Sequence, residues 1–193
     1  LLLKKRGELM QNAYEPNKSG MAAIIGLNCI EVEKLIKTNN LKIEVANDNS
    51  SLQIVISGII DDIKSYESLF KDAGAKKFVL LNVSAAFHSH LMIEAEFEMK
   101  KYIDKINFLE SNIPIISNFN AKISNNTEEI IFSLSNQMSN RVRWVESVKT
   151  LEKFNEQNII EVGPGKVLTG LIKRINKDFN IINIENINDL EKV

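Results

Sequence analysis

The feature that most constrains the fold is the rhythm of residues 21–83, where short apolar segments alternate with amphipathic ones. Four segments have the apolar runs or the two-residue alternation of strands, at 21–26, 41–48, 52–58 and 76–83. Two segments between them have the spacing of amphipathic helices, at 31–39 and 60–74. The order strand, helix, strand, strand, helix, strand therefore predicts one compact unit, which we place at residues 19–83.

This order is that of the split βαβ, or ferredoxin-like, arrangement. The rest of the chain has a different pattern. Residues 1–14 suit a helix with one apolar face, and beyond residue 84 helices alternate with apolar strand segments at 113–118 and 159–163. Because strands that alternate with helices favour a parallel sheet with covered faces, the sequence predicts an α/β protein that joins both arrangements.

Composition and charge argue against several classes of function. The chain has 24 Lys and Arg against 25 Asp and Glu, a net charge of −1, and no basic tract that would favour nucleic acid or an anionic membrane. No apolar run approaches the roughly 20 residues of a membrane span, and the first residues do not resemble a secretory signal. Cys29 is the only cysteine, so no intrachain disulfide can form and we expect a reducing, cytoplasmic compartment.

Both histidines lie in the segment NVSAAFHSHLM, between a predicted strand and a predicted helix. Loops at the ends of strands are where α/β proteins place reactive groups, and an imidazole can exchange protons near neutral pH. His88 is therefore a candidate acid–base group, although a histidine that only packs or faces solvent would have the same pattern. His88 and His90 as two metal ligands would need a third, and no Cys or acidic cluster supplies one, so we predict no metal.

The nearest hydroxyls, Ser84 and Ser89, do not lie in a G-x-S-x-G elbow and are expected to be turn or cap residues. The segment VGPGKVLTG is not a P-loop, because Ile160 and Val167 stand where that motif needs Gly and Ser or Thr. We predict instead a tight strand-to-helix turn at 163–165, whose backbone N–H groups can favour an anion.

Five segments together resemble the malonyl-CoA:acyl carrier protein transacylases of fatty acid synthesis. They occur in the family order and span nearly the whole chain: RGELMQNA, GMAAIIGL, SAAFHSHLM, NQMSNRVRW and IIEVGPGKVLTGLIKRI. The resemblance implies an α/β-hydrolase-like parallel-sheet domain formed by 1–18 and 84–193, with the ferredoxin-like subdomain of 19–83 inserted in it. It also implies ping-pong transfer, in which a Ser activated by a His takes malonyl from CoA and passes it to the phosphopantetheine thiol of acyl carrier protein. No further cofactor is implied.

The resemblance assigns roles to three residues. His88 matches the catalytic His, whereas His90 has no assigned role. Arg6 matches the Arg that pairs with the malonyl carboxylate, for which a guanidinium offers two parallel hydrogen bonds. Gln137 matches the residue whose backbone carbonyl holds the His ring in its working tautomer, as a carboxylate does in Ser-His-Asp sites. Taken alone, Arg6 and Gln137 would be ordinary solvated residues.

The sequence departs from the family pattern at three places. Ala86 and Arg141 stand where Pro is common, and no G-x-S-x-G occurs in the 193 residues. In the family that elbow lies upstream of the "RG" helix, so the chain resembles the C-terminal part of the enzyme. We therefore expect it to be poorly stable and inactive alone, and to need an upstream N-terminal fragment as a partner.

Two other functions fit the same sequence. The chain is also compatible with a non-catalytic remnant whose ferredoxin-like subdomain binds acyl carrier protein. A third possibility is an acyltransferase module inside a larger synthase, which the ending NDLEKV argues against.

Overall fold

The computed structural model describes residues 1–154 and 157–192. The α-helices in these residues are α1 (Leu2–Gln11), α2 (Cys29–Thr38), α3 (Ile60–Ser65), α4 (Glu67–Asp72), α5 (Ile93–Ile103), α6 (Thr127–Ser135), α7 (Trp144–Leu151) and α8 (Val167–Ile175). The strands are β1 (Ser19–Ile25), β2 (Ile43–Ser50), β3 (Gln53–Ile59), β4 (Lys77–Leu80), β5 (Ile115–Ile116), β6 (Ile123–Ser124), β7 (Asn158–Val162) and β8 (Asn180–Ile184). Short 3₁₀ helices occur at His90–Met92, Glu152–Phe154 and Ile187–Lys192.

The first four strands form one antiparallel sheet in the order β2-β3-β1-β4. The predicted order of strands and helices in this region is confirmed, with two differences. The helix predicted at 60–74 is divided into α3 and α4 at Tyr66, whose N–H is shared between the carbonyls of Asp62 and Ile63, a tightened turn. Strand β2 continues to Ser50, two residues beyond the strand predicted at 41–48.

One face of this sheet carries a closed apolar core. Val32 of α2, Ile63 of α3 and Phe70 of α4 are completely buried against side chains of β1 and β3. Phe70 also stacks on Phe78 of β4, with ring centroids 6.1 Å apart. Burial of each such side chain contributes about 1.5–3 kcal/mol, so this face can hold the unit together.

The opposite face of the sheet supports the segment that leads to His88. Side chains that alternate with the core positions, including Met21 and Val55, pack against Leu81, Val83 and Phe87. The loop between β4 and α5 is therefore held against this face of the sheet by apolar contacts.

A second core joins α1, α5 and α6. Ile131 of α6 is partly buried against it. The buried side chains come from α1, from α5 and from segments beside the helices: Met10, Ala85, Met92, Ala95, Met99, Ile103 and Met138. The buried strand predicted at 113–118 is wrong in extent and burial. Only Ile115 and Ile116 form a strand, they pair antiparallel with β6, and Ile113 is 76% exposed. Within the described residues β5 has no other neighbouring strand to cover it.

The last region is a β7–α8–β8 unit. Its two strands are parallel, which confirms the pairing predicted for 159–163, and the turn at 163–165 is also confirmed, with positive φ at Gly163 and Gly165. Strand β8 was not predicted. We predicted that helices cover both faces of this parallel sheet. In the described residues the cover is incomplete, since Ile160 and Val162 of β7 are 44% and 78% exposed.

No helix in the described part of the chain is both long and apolar enough to cross a bilayer.

Candidate active site

His88 lies in the loop between β4 and α5 with an unusual backbone. Its φ of 59° is in the left-handed region, which costs a residue with a side chain about 1–3 kcal/mol and needs support from its surroundings. That support comes from both sides. The His88 N–H donates to the Met138 carbonyl at 3.1 Å, and the buried Ser89 hydroxyl donates to the Ala86 carbonyl at 2.7 Å.

Two backbone carbonyls fix the His88 imidazole. Nδ1 lies 2.9 Å from the oxygen of Gln137 and 3.2 Å from that of Asn140. Because a carbonyl oxygen only accepts hydrogen bonds, Nδ1 must carry the ring proton of the neutral imidazole, and the lone pair of Nε2 remains free to accept another. The structure thus places Gln137 at the distance that an orienting role requires, while the role itself stays a prediction.

The surroundings of His88 favour its neutral form. Burial lowers the pKa of His88 below its ordinary value. The two hydrogen bonds from Nδ1–H to backbone carbonyls oppose this, and the positive charge of Arg6 adds to the lowering. The ring is therefore available as a base near neutral pH.

Arg6 projects from α1 as a half-buried cation. Within residues 1–154 and 157–192 its guanidinium has no hydrogen bond and no ion pair with a carboxylate. Burial lowers its pKa, but a guanidinium stays charged under all ordinary conditions. A buried charge is costly without a counter-ion, so the site favours an anionic group from outside these residues.

Of the two serines near His88, Ser89 is confirmed as a turn hydroxyl, which donates to the Ala86 carbonyl. Ser89 is fully buried as a turn hydroxyl, and Ser84 is exposed. In the described part of the chain no serine hydroxyl is hydrogen-bonded to the His88 ring. Neither serine is therefore placed as a nucleophile.

A shallow cleft with a volume of about 380 Å³ opens beside His88, between β2 and the segment 139–143. Glu44 of β2 lines the cleft and binds His90, which does not line it: the Glu44 carboxylate lies 2.6 Å from His90 Nδ1 and accepts the His90 N–H at 3.0 Å. This pairing had no signal in the sequence. No group of three or more His, Cys, Asp or Glu in the described ranges is arranged to hold a metal ion.

Both departures from proline have a structural reason. The Ala86 N–H, which a proline would lack, donates to the buried Ser19 hydroxyl at 3.2 Å. Arg141 donates to Glu33 of α2 at 2.6 Å and to the sulfur of Cys29 at 3.1 Å. Burial raises the pKa of the Cys29 thiol to about 11, so this cysteine is a contact and not a nucleophile.

Comparisons with known proteins show what the whole chain is similar to. No family model matches the chain. The polyketide biosynthesis malonyl CoA-acyl carrier protein transacylase of Bacillus subtilis (strain 168) is 42% identical over 179 residues, covering 92% of this chain and 61% of the relative. The malonyl CoA-acyl carrier protein transacylase of Staphylococcus aureus (strain MSSA476) is 34% identical over 193 residues, covering 98% and 63%.

Solved structures give the same result. The acyl-carrier-protein S-malonyltransferase of Burkholderia pseudomallei 1710b matches with a TM-score of 0.93 and 31% identity, covering 99% of this chain and 63% of that one. A malonyl-transacylase in complex with its type II PKS acyl-carrier protein matches with a TM-score of 0.93 and 32% identity, covering 99% and 62%. The chain is therefore similar in sequence and in fold to part of the malonyl CoA-acyl carrier protein transacylases, and it spans about three fifths of their length.

Proposed function

We propose that this chain supplies the histidine side of a site that transfers malonyl from malonyl-CoA to the phosphopantetheine thiol of acyl carrier protein. The observation that carries the proposal is the His88 ring, whose Nδ1 lies 2.9 Å from the Gln137 carbonyl. The positive charge of Arg6, which has no ion pair in the described residues, acts on the same ring. A base and a carboxylate-binding group in one site suit an acyl group that ends in a carboxylate. The names of the homologous transacylases support the same substrates.

His88 would move one proton in each half of the reaction. Nε2 accepts the proton of a serine hydroxyl as the serine oxygen attacks the malonyl thioester carbonyl. When the tetrahedral intermediate collapses, Nε2–H returns the proton to the departing CoA sulfur. The carrier-protein thiol then gives its proton to Nε2 and attacks the serine ester, and the proton returns to the serine oxygen. The Nδ1–H···O=C bond to Gln137 stabilises the imidazolium formed in each half.

Arg6 would bind the free carboxylate of the malonyl group. Its guanidinium can donate two parallel hydrogen bonds to a carboxylate. An acetyl group has no free carboxylate to accept them. This accounts for a preference for malonyl over acetyl.

The serine and its oxyanion donors would come from polypeptide outside these 193 residues, in which no G-x-S-x-G occurs. Two observations support this. The homologues are longer than the part that this chain matches, and Val162 and Val167 of the β7–α8–β8 unit are 78% and 70% exposed. A serine-bearing partner packed on that unit would cover them. Without it the chain is expected to be inactive, because loss of the nucleophile removes the covalent route.

The finer fold assignment is part of the proposal. Residues 1–18 and 84–193 would belong to an α/β-hydrolase-like domain, and residues 19–83 would be a ferredoxin-like insert. The antiparallel order β2-β3-β1-β4 with helices on one face supports the insert, and the parallel β7–α8–β8 unit supports the larger domain. A cytoplasmic location and the need for no cofactor beyond the two substrates remain expectations from the sequence.

The carrier protein could belong to either of two pathways. The sequence resemblance indicates fatty acid synthesis, whereas the Bacillus relative is named for polyketide biosynthesis. We therefore propose acyl carrier protein as the partner and leave the pathway to an assay with one carrier of each kind.

The test is to combine the purified chain with the part of the Bacillus relative that it does not match, where the family resemblance places the G-H-S-x-G elbow, and to add malonyl-CoA and holo-acyl carrier protein. Mass spectrometry of the carrier should show malonyl transfer that falls about 10,000-fold or more in His88→Ala. Arg6→Ala should lose malonyl transfer and keep acetyl transfer. His90→Gln is the matched control and should retain most of the activity. Equal activity in His88→Ala and the wild type would rule out the proposal.

The alternative is a module that binds acyl carrier protein without catalysis, and the absence of G-x-S-x-G from the 193 residues is the observation that favours it. Under this alternative, the chain alone would bind holo-acyl carrier protein. The result that separates it from the first proposal is that adding the serine segment would produce no malonyl transfer.

A further inference from the structure

The segment 137–140 holds His88, and the carboxylate of Glu96 binds that segment at Ser139. Glu96 lies on α5, one residue after the buried Ala95. Its Oε2 accepts the Ser139 backbone N–H at 2.8 Å, and its Oε1 accepts the Ser139 hydroxyl at 2.8 Å. Both oxygens of one carboxylate are therefore used on one residue of the loop, which fixes the orientation of that residue.

Glu96 and His88 bind opposite ends of the same peptide group. The Met138 carbonyl accepts the His88 N–H at 3.1 Å, and the N–H of that peptide unit, which belongs to Ser139, donates to Glu96. Hydrogen bonds in such a chain polarise and strengthen one another. The two carbonyls that hold His88 Nδ1, those of Gln137 and Asn140, lie within two residues of Ser139. A shift of Ser139 would thus move all three contacts of His88.

The charge of Glu96 is directed at this loop. In the described ranges no Lys, Arg or His forms an ion pair with it, whereas the neighbouring Glu98 is exposed and paired with Lys101 at 2.5 Å. Hydrogen bonds to a carboxylate without a counter-ion are about twice as strong as neutral ones. Helix α5 itself is fixed by Met92 and Met99 in the second core, so the carboxylate has a rigid base.

We propose that Glu96 is a positioning residue for His88, acting through Ser139 to keep the imidazole in its Nδ1–H tautomer and correctly aimed. A role of Glu96 in catalysis depends on the proposed function being correct. Its effect on the orientation of the His88 ring does not depend on that function. Glu96 and Ser139 have no assigned role in the resemblance, and their 43-residue separation gives no signal in the sequence.

The test reads the His88 ring directly in the full chain, by long-range ¹H–¹⁵N NMR of the imidazole. Glu96→Gln should accelerate exchange of the Nδ1 proton with solvent by roughly tenfold or more, because the loop loses bonds to a charged acceptor. Ser139→Ala keeps the backbone bond and should show a smaller acceleration. Glu98→Gln, on the same helix, is the matched control and should leave the ring unchanged.

The outcomes separate positioning from general stability. An unchanged His88 signal in folded Glu96→Gln would overturn the proposal, as would an equal change in Glu98→Gln. If Glu96→Gln does not fold, the milder Ser139→Ala decides, and an unchanged ring there overturns the proposal. None of these readings needs transferase activity, so failure of the proposed function would leave them intact. In the assembled enzyme, Glu96→Gln should lower kcat with little change in KM.

Discussion

The four-stranded sheet and the β7–α8–β8 unit differ in how completely they bury their apolar side chains. In the sheet, Ile24, Ile54 and Ile56 are completely buried under helices of the same region. In the β7–α8–β8 unit, one side is covered by α7 and α8 through Val148 and Ile172, while side chains on the strand and helix ends remain exposed. The first region is complete as it stands. The second leaves apolar side chains exposed, as we expect if further polypeptide packs on it. His88 lies in the loop that connects the sheet region to the remainder of the chain.

The largest effect is expected from the core of the sheet. Phe70→Ala removes a fully buried ring and should lower the free energy of unfolding by about 3–5 kcal/mol. Urea unfolding followed by amide NMR of β1 and β3 measures it. Phe97→Ala, at a ring that is 64% exposed, should change stability by no more than about 0.5 kcal/mol. Equal losses in the two variants would contradict a closed core.

A smaller effect is expected in the second region. Ile172→Ala deletes a side chain that is 3% exposed, but neighbours in a partly covered unit can relax into the space. We expect a loss near the low end for such a change, about 2 kcal/mol, followed by amide NMR of β7 and β8. A loss as large as that of Phe70→Ala would mean that the unit is as closely packed as the sheet.

Val162→Asp distinguishes the two regions most clearly. Val162 is 78% exposed, so the change should alter the stability of the chain alone by about 0.5 kcal/mol or less. It should nevertheless weaken assembly with the serine-bearing segment, because a charge would be placed in the covered interface. Analytical ultracentrifugation of the mixture measures this. Unchanged assembly would show that the exposed face is not the docking surface.

The smallest effect concerns pH. Burial lowers the pKa of His88 below 6.5, its ordinary value, so the unfolded chain takes up the proton first as the pH falls. Stability from this residue is therefore complete above 6.5 and is lost as the pH falls toward the folded pKa. Arg6→Met removes a charge that contributes to the lowering, so the His88 pKa should rise toward 6.5 in an NMR titration. A fall in that pKa would contradict the placement of Arg6.

Local patterns explain which features the sequence could predict. The strands of the sheet were predictable because each has its own periodicity, and the turn at 163–165 because two glycines mark it. Strand β8 was missed although Ile181 and Ile184 are apolar, since asparagines interrupt the run. The extent of the strand at 113–118 was wrong because an apolar run does not reveal whether neighbouring strands are present.

The supports of the site were not predictable, because they join residues far apart in the chain. Ser19 and Ala86 are separated by 67 residues, and Glu33 and Arg141 by 108. Each is an ordinary residue type in its own segment, and only the folded chain brings the pairs together. Arg6 and Gln137 were found only through resemblance, whereas His88 was a candidate from its loop alone. The structure gives the hydrogen bonds of His88 and the burial of Arg6.

The most direct test of the central claim is the formation of the serine ester itself. The G-H-S-x-G-bearing segment would be incubated with malonyl-CoA, without carrier protein, in the presence and absence of this chain, and its intact mass measured. The account expects a malonyl ester on that serine only when the chain with His88 is present, and none with His88→Ala. An ester that forms equally fast without the chain, or none with it, would contradict the account.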